Sequence, residues 1–127
     1  MRVLLDTHIA LAVIHRDVSR YGKRIEALID SDDVKVVSVA SVWEIAIKHR
    51  LGKLDIDIPL ERVCPFFEML GYDILVVDAS HAVENLDTAP RTNDPFDRLL
   101  LAQCQVEGLR LVTVDSVLVG HPLAWRP

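Results

Sequence analysis

The sequence lacks a glycine-rich turn after its first apolar run, any CxxC or HxxxH spacing, and any hydrophobic run of membrane-spanning length. Each absence removes a class. A dinucleotide-binding fold needs glycines where "VLLDTHIA" has none. Zinc sites draw on clustered thiols and imidazoles, whereas Cys64, Cys104, His8, His15, His49, His81 and His121 are scattered. The two cysteines sit in apolar contexts and read as buried free thiols rather than a disulfide. "IALAVI" (9–14) is among the longest apolar runs, far short of the roughly 20 residues that a spanning helix needs. No basic segment followed by a signal core opens the chain, so a cytoplasmic location is expected. Positive charge is also scarce: 14 basic residues stand against 19 acidic ones, a net charge of −5. That balance disfavours strong sequence-independent binding to duplex DNA, which depends on releasing counterions from many phosphates. A nucleic-acid substrate held by local basic groups and a metal remains compatible.

What is present is a chain of 127 residues, half of them hydrophobic, with no linker, repeat or low-complexity segment. One domain spanning 1–127 is expected. Short β-branched runs, "RVLL" (2–5), "KVVS" (35–38), "DILVV" (73–77) and "LRLVTV" (109–114), read as buried parallel strands. A fifth strand is expected near "PLAW" (122–125). Between the strands lie stretches with helical spacing: "HIALAVIHR", "SRYGKRIEALID", "VASVWEIAIKHRL" up to Gly52, "PLERVCPFFEML" with a break or restart at Pro65, and "ASHAVENL" after Asp78. The best-marked helix runs from Pro95 to Glu107, with Asp94 before it as N-cap and Gly108 as its stop. Strands alternating with helices predict a three-layer α/β domain with a mainly parallel sheet of four to five strands.

Sites in such sheets form beyond the carboxyl ends of the strands. Five acids belong to that rim. Asp6 follows the first strand, Asp115 follows "LRLVTV", Glu44 lies early in the helix after "KVVS", and Asp94 and Asp97 open the last helix. Each also has a purely structural role available. Asp6 and Asp94 are good helix caps, Asp115 a turn former, Glu44 a partner for Lys48 four residues on, and Asp97 an N3 acid of a capping box. Asp78 also follows a strand and precedes a helix, and it is assigned to capping. Crowded carboxylates repel unless a cation sits among them, and hard oxygen donors suit Mg²⁺ or Mn²⁺. Such an ion, with open water positions, serves phosphoryl chemistry. Positive partners for a phosphate are at hand in "KHRLGK" (Lys48, His49, Arg50, Lys53) and in Arg98.

Taken in order, "VLLDTH", "SVWEIAIKHRLGKL" and "NDPFDRLLLAQCQVEGLRLVTVD" resemble the PIN-domain ribonucleases, and more narrowly the VapC-like toxins of toxin–antitoxin pairs. The resemblance spans nearly the whole chain. It implies a PIN-like α/β/α domain and a Mg²⁺- or Mn²⁺-dependent endoribonuclease with an acidic quartet: Asp6, Glu44, Asp97 and Asp115. Asp6 and Asp97 are then the direct metal ligands, with Asp115 and Glu44 acting directly or through water. Asp94, in the "DPFDR" variant, is a cap first and an auxiliary ligand second. Thr7, Lys48 and Arg98 are expected at the substrate. No acid of the quartet is missing, and Asn93 stands where many relatives of this branch carry histidine. The resemblance also implies an RNA substrate, a homodimer and a small antitoxin with an apolar helix and a basic side chain for the cleft. Two other readings stay open. One is a non-catalytic protein that keeps the fold and binds RNA or a protein partner. The other is phosphoryl transfer through an aspartyl-phosphate on Asp6, although "DTH" lacks a second acid two residues on.

Overall fold

The first strand is the hub. In this computed structural model, which describes residues 1–126, β1 (Arg2–Leu5) pairs in parallel with β2 (Val34–Ser38) on one side and with β4 (Arg110–Val112) on the other. β3 (Asp73–Leu75) adds outside β2, giving a four-stranded, all-parallel sheet in the order β3-β2-β1-β4. Strand side chains alternate between the faces, so neighbours in sequence enter different cores. Val3, Leu5, Val37 and Val112 pack into one cluster, and Leu4, Val36 and Leu111 into the other. All seven are essentially inaccessible, which is why these runs are apolar throughout instead of alternating.

Helices cover both faces. α1 (Thr7–His15), α2 (Lys23–Asp30), α4 (Val63–Met69) and Ile45 of α3 (Val39–Arg50) fill the first cluster through Ile9, Val13, Ile25, Leu28, Val63 and Phe67. α6 (Pro95–Glu107) fills the second through Leu100, Leu101 and Cys104, with the short α5 (Ala79–Ala82) beside it. The three-layer α/β expectation is met. Among the described residues no helix is long and apolar enough to cross a membrane.

Several boundaries differ from the expectations, each for a local reason. The segment from Ser19 to Asp30 is not one helix: a 3₁₀ turn (Val18–Tyr21) is separated from α2 by Gly22, whose φ of 100° no helix accommodates. α4 starts before Pro65, not at it, so the proline occupies the first turn, where its missing N–H has no helical partner to lose. β3 stops at Leu75, two residues early. α5 is a single turn, closed by a capping box between Asp78 and His81, in which Asp78 accepts from the N–H groups of Ser80 and His81. The fifth strand is reduced to one parallel bridge, Leu111 to Ala124, which covers the free edge of β4. The thiols are free as expected, but only Cys104 is buried, and burial pushes its pKa up to about 12. Cys64 is half-buried, its thiol raised by burial and by Glu68.

The strand order locates the cleft. From β1 the chain moves one way to β2 and β3, then crosses back to β4 on the other side. The switch point therefore lies between the carboxyl ends of β1 and β4. The N–H of Asp6 donates to the carbonyl of Val112 at 3.0 Å, carrying the β1–β4 ladder one residue past the strand and placing Asp6 at that point.

Candidate active site

Asp6 is 3% exposed and caps α1, its Oδ1 accepting the Ile9 N–H at 3.0 Å. Burial raises its pKa, opposed by a hydrogen bond with the Thr113 side chain, by the Ile9 N–H and by His8. A buried carboxyl with few donors favours its neutral form, and a nearby cation reverses that preference.

Glu44 sits on the inner side of α3 and is 7% exposed. The Thr7 hydroxyl donates to its Oε1 at 2.6 Å, and the Lys48 ammonium donates to its Oε2 at 2.8 Å. Glu44 is thus enclosed, and Lys48, the partner its spacing suggested, is the cation that answers it. Thr7, whose Oγ1 also lies 3.0 Å from the Ser41 hydroxyl, and Lys48 are both engaged with this carboxylate. Arg98 on α6 is exposed, and among the described residues it has no ion-pair partner.

The first turn of α6 separates Asp94 from Asp97. Asp94 is the N-cap, accepting the Phe96 N–H at 2.8 Å. Asp97, at N3, does not reach back to the cap's own N–H as a capping-box acid does. That N–H donates to the Thr92 hydroxyl at 3.0 Å, and the same hydroxyl donates to Oδ2 of Asp97 at 3.1 Å. Thr92 takes the place of the capping-box acid at the Asp94 N–H, so the Asp97 carboxylate bonds to Thr92 and not to the cap's backbone. Its pKa is pushed up to about 6 by burial and by the negative charges of Asp94, Asp115 and Glu44, against the Thr92 hydrogen bond. The carboxylates that repel it come from the α6 cap, the loop after β4 and α3.

Asp115 closes the turn after β4, its Oδ1 accepting the Val117 N–H at 3.0 Å. Its own N–H donates to the Thr113 hydroxyl at 3.1 Å. Thr113 thus mirrors Thr92 in accepting the N–H of an acid two residues on, and its hydroxyl lowers the pKa of Asp6 as that of Thr92 lowers the pKa of Asp97. Thr92, Thr113 and Ser41 were not singled out in the sequence. A signal was there, since "TND" and "TVD" repeat a Thr-x-Asp spacing that suits a hydroxyl-closed turn.

The structure therefore gathers Glu44, Asp94, Asp97 and Asp115 into one electrostatic neighbourhood. Asp6 joins it through its neighbour Thr7, bonded to Glu44, and through Thr113, which also bonds the backbone of Asp115. Among the described residues, no three His, Cys, Asp or Glu side chains stand together as a formed ion-binding group. Each carboxylate is drawn to a hydroxyl, an ammonium or a backbone N–H instead. The donor chemistry nonetheless fits a hard divalent cation: all the groups are carboxylates, positive charge is scarce among them, and Asp97 carries the cost of that shortage.

The family model described as PIN domain matches residues 3–119. Among solved structures, the fold is similar to a toxin–antitoxin complex from Klebsiella pneumoniae, with a TM-score of 0.61 at 17% identity, covering 98% of this chain and 96% of that one. It is also similar to VapBC2 from Rickettsia felis bound to a DNA fragment from their promoter, with a TM-score of 0.59 at 16% identity and the same coverage of each chain. No curated protein matches the sequence.

Two stability predictions follow from this geometry. Asp97 has a folded pKa of about 6 against 3.8 for the free side chain, so the native state holds its proton more tightly than the unfolded one. Its charge then destabilises the fold increasingly as pH rises from about 4 to about 6, and fully above that. Asp97→Asn is expected to be more stable than wild type at pH 7 by roughly 1 kcal/mol after solvent screening, with the gain gone at pH 3.5. Urea melts at both pH values check the sign. Asp94→Ala is expected to lose about 1 kcal/mol with the cap, measured the same way.

Proposed function

This chain belongs to the PIN-domain family, and from that premise we propose that it is a Mg²⁺- or Mn²⁺-dependent endoribonuclease, the toxin of a toxin–antitoxin pair. The observation that carries the reading is the crowding of Asp97 by Asp94, Asp115 and Glu44 at the switch point of the sheet. Acids that share one rim with only Lys48 to offset their charge are costly to a fold, and a divalent ion would offset that cost. Asp6, Asp97 and Asp115 would hold the ion, with Glu44 acting directly or through water and Asp94 as an auxiliary. When bound, the ion supplies an activated water and neutralises charge developing on a phosphodiester.

The chain's own residues supply the rest. Thr92 and Thr113 hold the carboxylates of Asp97 and Asp6 in place. Lys48 and Thr7 orient Glu44 from opposite oxygens, which makes Lys48 first a positioning residue and only at its exposed side a phosphate contact. Arg98, exposed one residue after Asp97, is placed to meet the substrate's negative charge. RNA is favoured over duplex DNA because a net charge of −5 offers little for sequence-independent duplex binding.

An antitoxin partner is supported by the two similar structures, a toxin–antitoxin complex and VapBC2. We extend the reading to a cytoplasmic homodimer that pairs with a small antitoxin. A non-catalytic binding module is the second reading, favoured by carboxylates that are tied to protein donors and not gathered to a point. An aspartyl-phosphate route is poorly served by Asp6, which is buried and whose Oδ1 is occupied by the Ile9 N–H.

Cleavage of a structured RNA in Mn²⁺ separates these readings. Wild type is expected to cut, Asp6→Asn and Asp97→Asn to lose activity while melting as cooperatively as wild type, and Asp94→Ala to retain part of it. Equal cleavage by wild type and Asp6→Asn would mean a contaminating nuclease and would leave the binding module standing.

A further inference from the structure

Trp43 is 59% exposed, and every other aromatic ring in the chain is buried or half-buried. It precedes Glu44 on α3, and its ring meets Phe96 edge to face, with centroids 5.6 Å apart and planes at 67°. Phe96 in turn precedes Asp97. The ring therefore bridges the two helices that carry Glu44 and Asp97, braced on one side by Phe96 and otherwise largely exposed. Beside it runs a groove of about 480 Å³ with an apolar floor of Val39, Val42 and Ala46. Arg50 and Glu61 line the same groove, so it carries no net charge. A phosphate gains nothing from such a groove, whereas a flat, weakly polar ring gains both the apolar floor and the indole face.

The charge balance points the same way. A chain with a net charge of −5 draws little affinity from phosphate neutralisation, so a single strand bound near the acids needs contacts that do not depend on charge. Stacking on an aromatic side chain is that contact, worth roughly 1–3 kcal/mol per base. We propose that Trp43, braced by Phe96, is the platform on which a nucleobase of the RNA substrate stacks next to the cleaved phosphodiester. The inference rests on the ribonuclease reading and adds the residue that seats the strand. Trp43 binds the base; it takes no part in the chemistry.

The test uses the full-length chain carrying Trp125→Phe, so that emission reports Trp43 alone. A mixed-sequence single-stranded RNA of twelve nucleotides is titrated in EDTA, where nothing is cut. Saturable quenching is expected, and with the same RNA carrying a 5′ fluorescein, anisotropy titrations are expected to show Trp43→Ala weakening RNA binding roughly 5- to 100-fold. In Mn²⁺ the same variant should raise KM by a similar factor with kcat little changed, and Trp43→Phe should recover most of the loss. The dependence of binding on salt should stay as in wild type, since no phosphate contact is removed. Thermal melts confirm that the variants fold. If Trp43→Ala binds and cuts RNA like wild type, the stacking role is wrong while the nuclease reading survives. If it shifts only the sedimentation of the protein, the ring belongs to an interface between copies and the proposal is overturned. If wild type neither binds nor cuts RNA, the nuclease reading fails first and takes this one with it.

Discussion

Like charges held close on the rim of an apolar sheet are the constraint on which the rest of this structure turns. The pKa of Asp97 is pushed up to about 6, first by burial and then by the negative charges of Asp94, Asp115 and Glu44. Asp6 is pushed the same way by burial. Nothing in the packing requires this. The two hydrophobic clusters are built from strand and helix faces that do not use these acids, and Asp94 alone would start α6. A fold that only needed stability would place neutral groups at most of these positions. Local strain of this kind concentrates at sites of chemistry, and here it lies where the strand order reverses.

The hydroxyls make the crowding tolerable. Thr92 and Thr7 donate to the carboxylates of Asp97 and Glu44, Thr113 lowers the pKa of Asp6, and Thr92 and Thr113 are each fixed by the backbone N–H of another acid. A hydroxyl can donate to a carboxylate or rotate away without a large rearrangement. Each hydroxyl is thus a partner that a carboxylate can exchange. Lys48 does similar work for Glu44, as a charge on a flexible stem. The cleft is thus a set of carboxylates with replaceable partners.

How much of this was legible varies residue by residue, for identifiable reasons. β1, β2 and α6 were readable because their signals are local: continuous β-branched runs, and a helix bounded by Asp94-Pro95 and Gly108. The acids at the rim followed from the strand pattern together with the family resemblance. Gly22 was missed as a break because Ile25, Leu28 and Ile29 keep a helical period on one side of it, and periodicity does not report φ. The "PLAW" strand was overread because four residues of suitable composition do not say how many rungs will pair. The Lys48–Glu44 pair followed from its spacing of four residues, whereas the bond from Thr7 to Glu44 depends on how α1 and α3 pack, which no linear spacing encodes. In the apolar stretch "SVWEIAI" Glu44 is buried while the neighbouring Trp43 indole faces out, which composition alone does not disclose. One residue along a helix turns the side chain by about a hundred degrees, enough to separate those fates.

The central claim is that these carboxylates share a divalent cation, and anomalous scattering from a crystal soaked in Mn²⁺ addresses it without reference to activity. The account predicts one strong peak between the ends of β1 and β4, within bonding distance of Asp6 and Asp97 and near Asp115. A peak confined to outlying acids such as Asp32 and Asp33, or an empty cleft at saturating Mn²⁺, would contradict it.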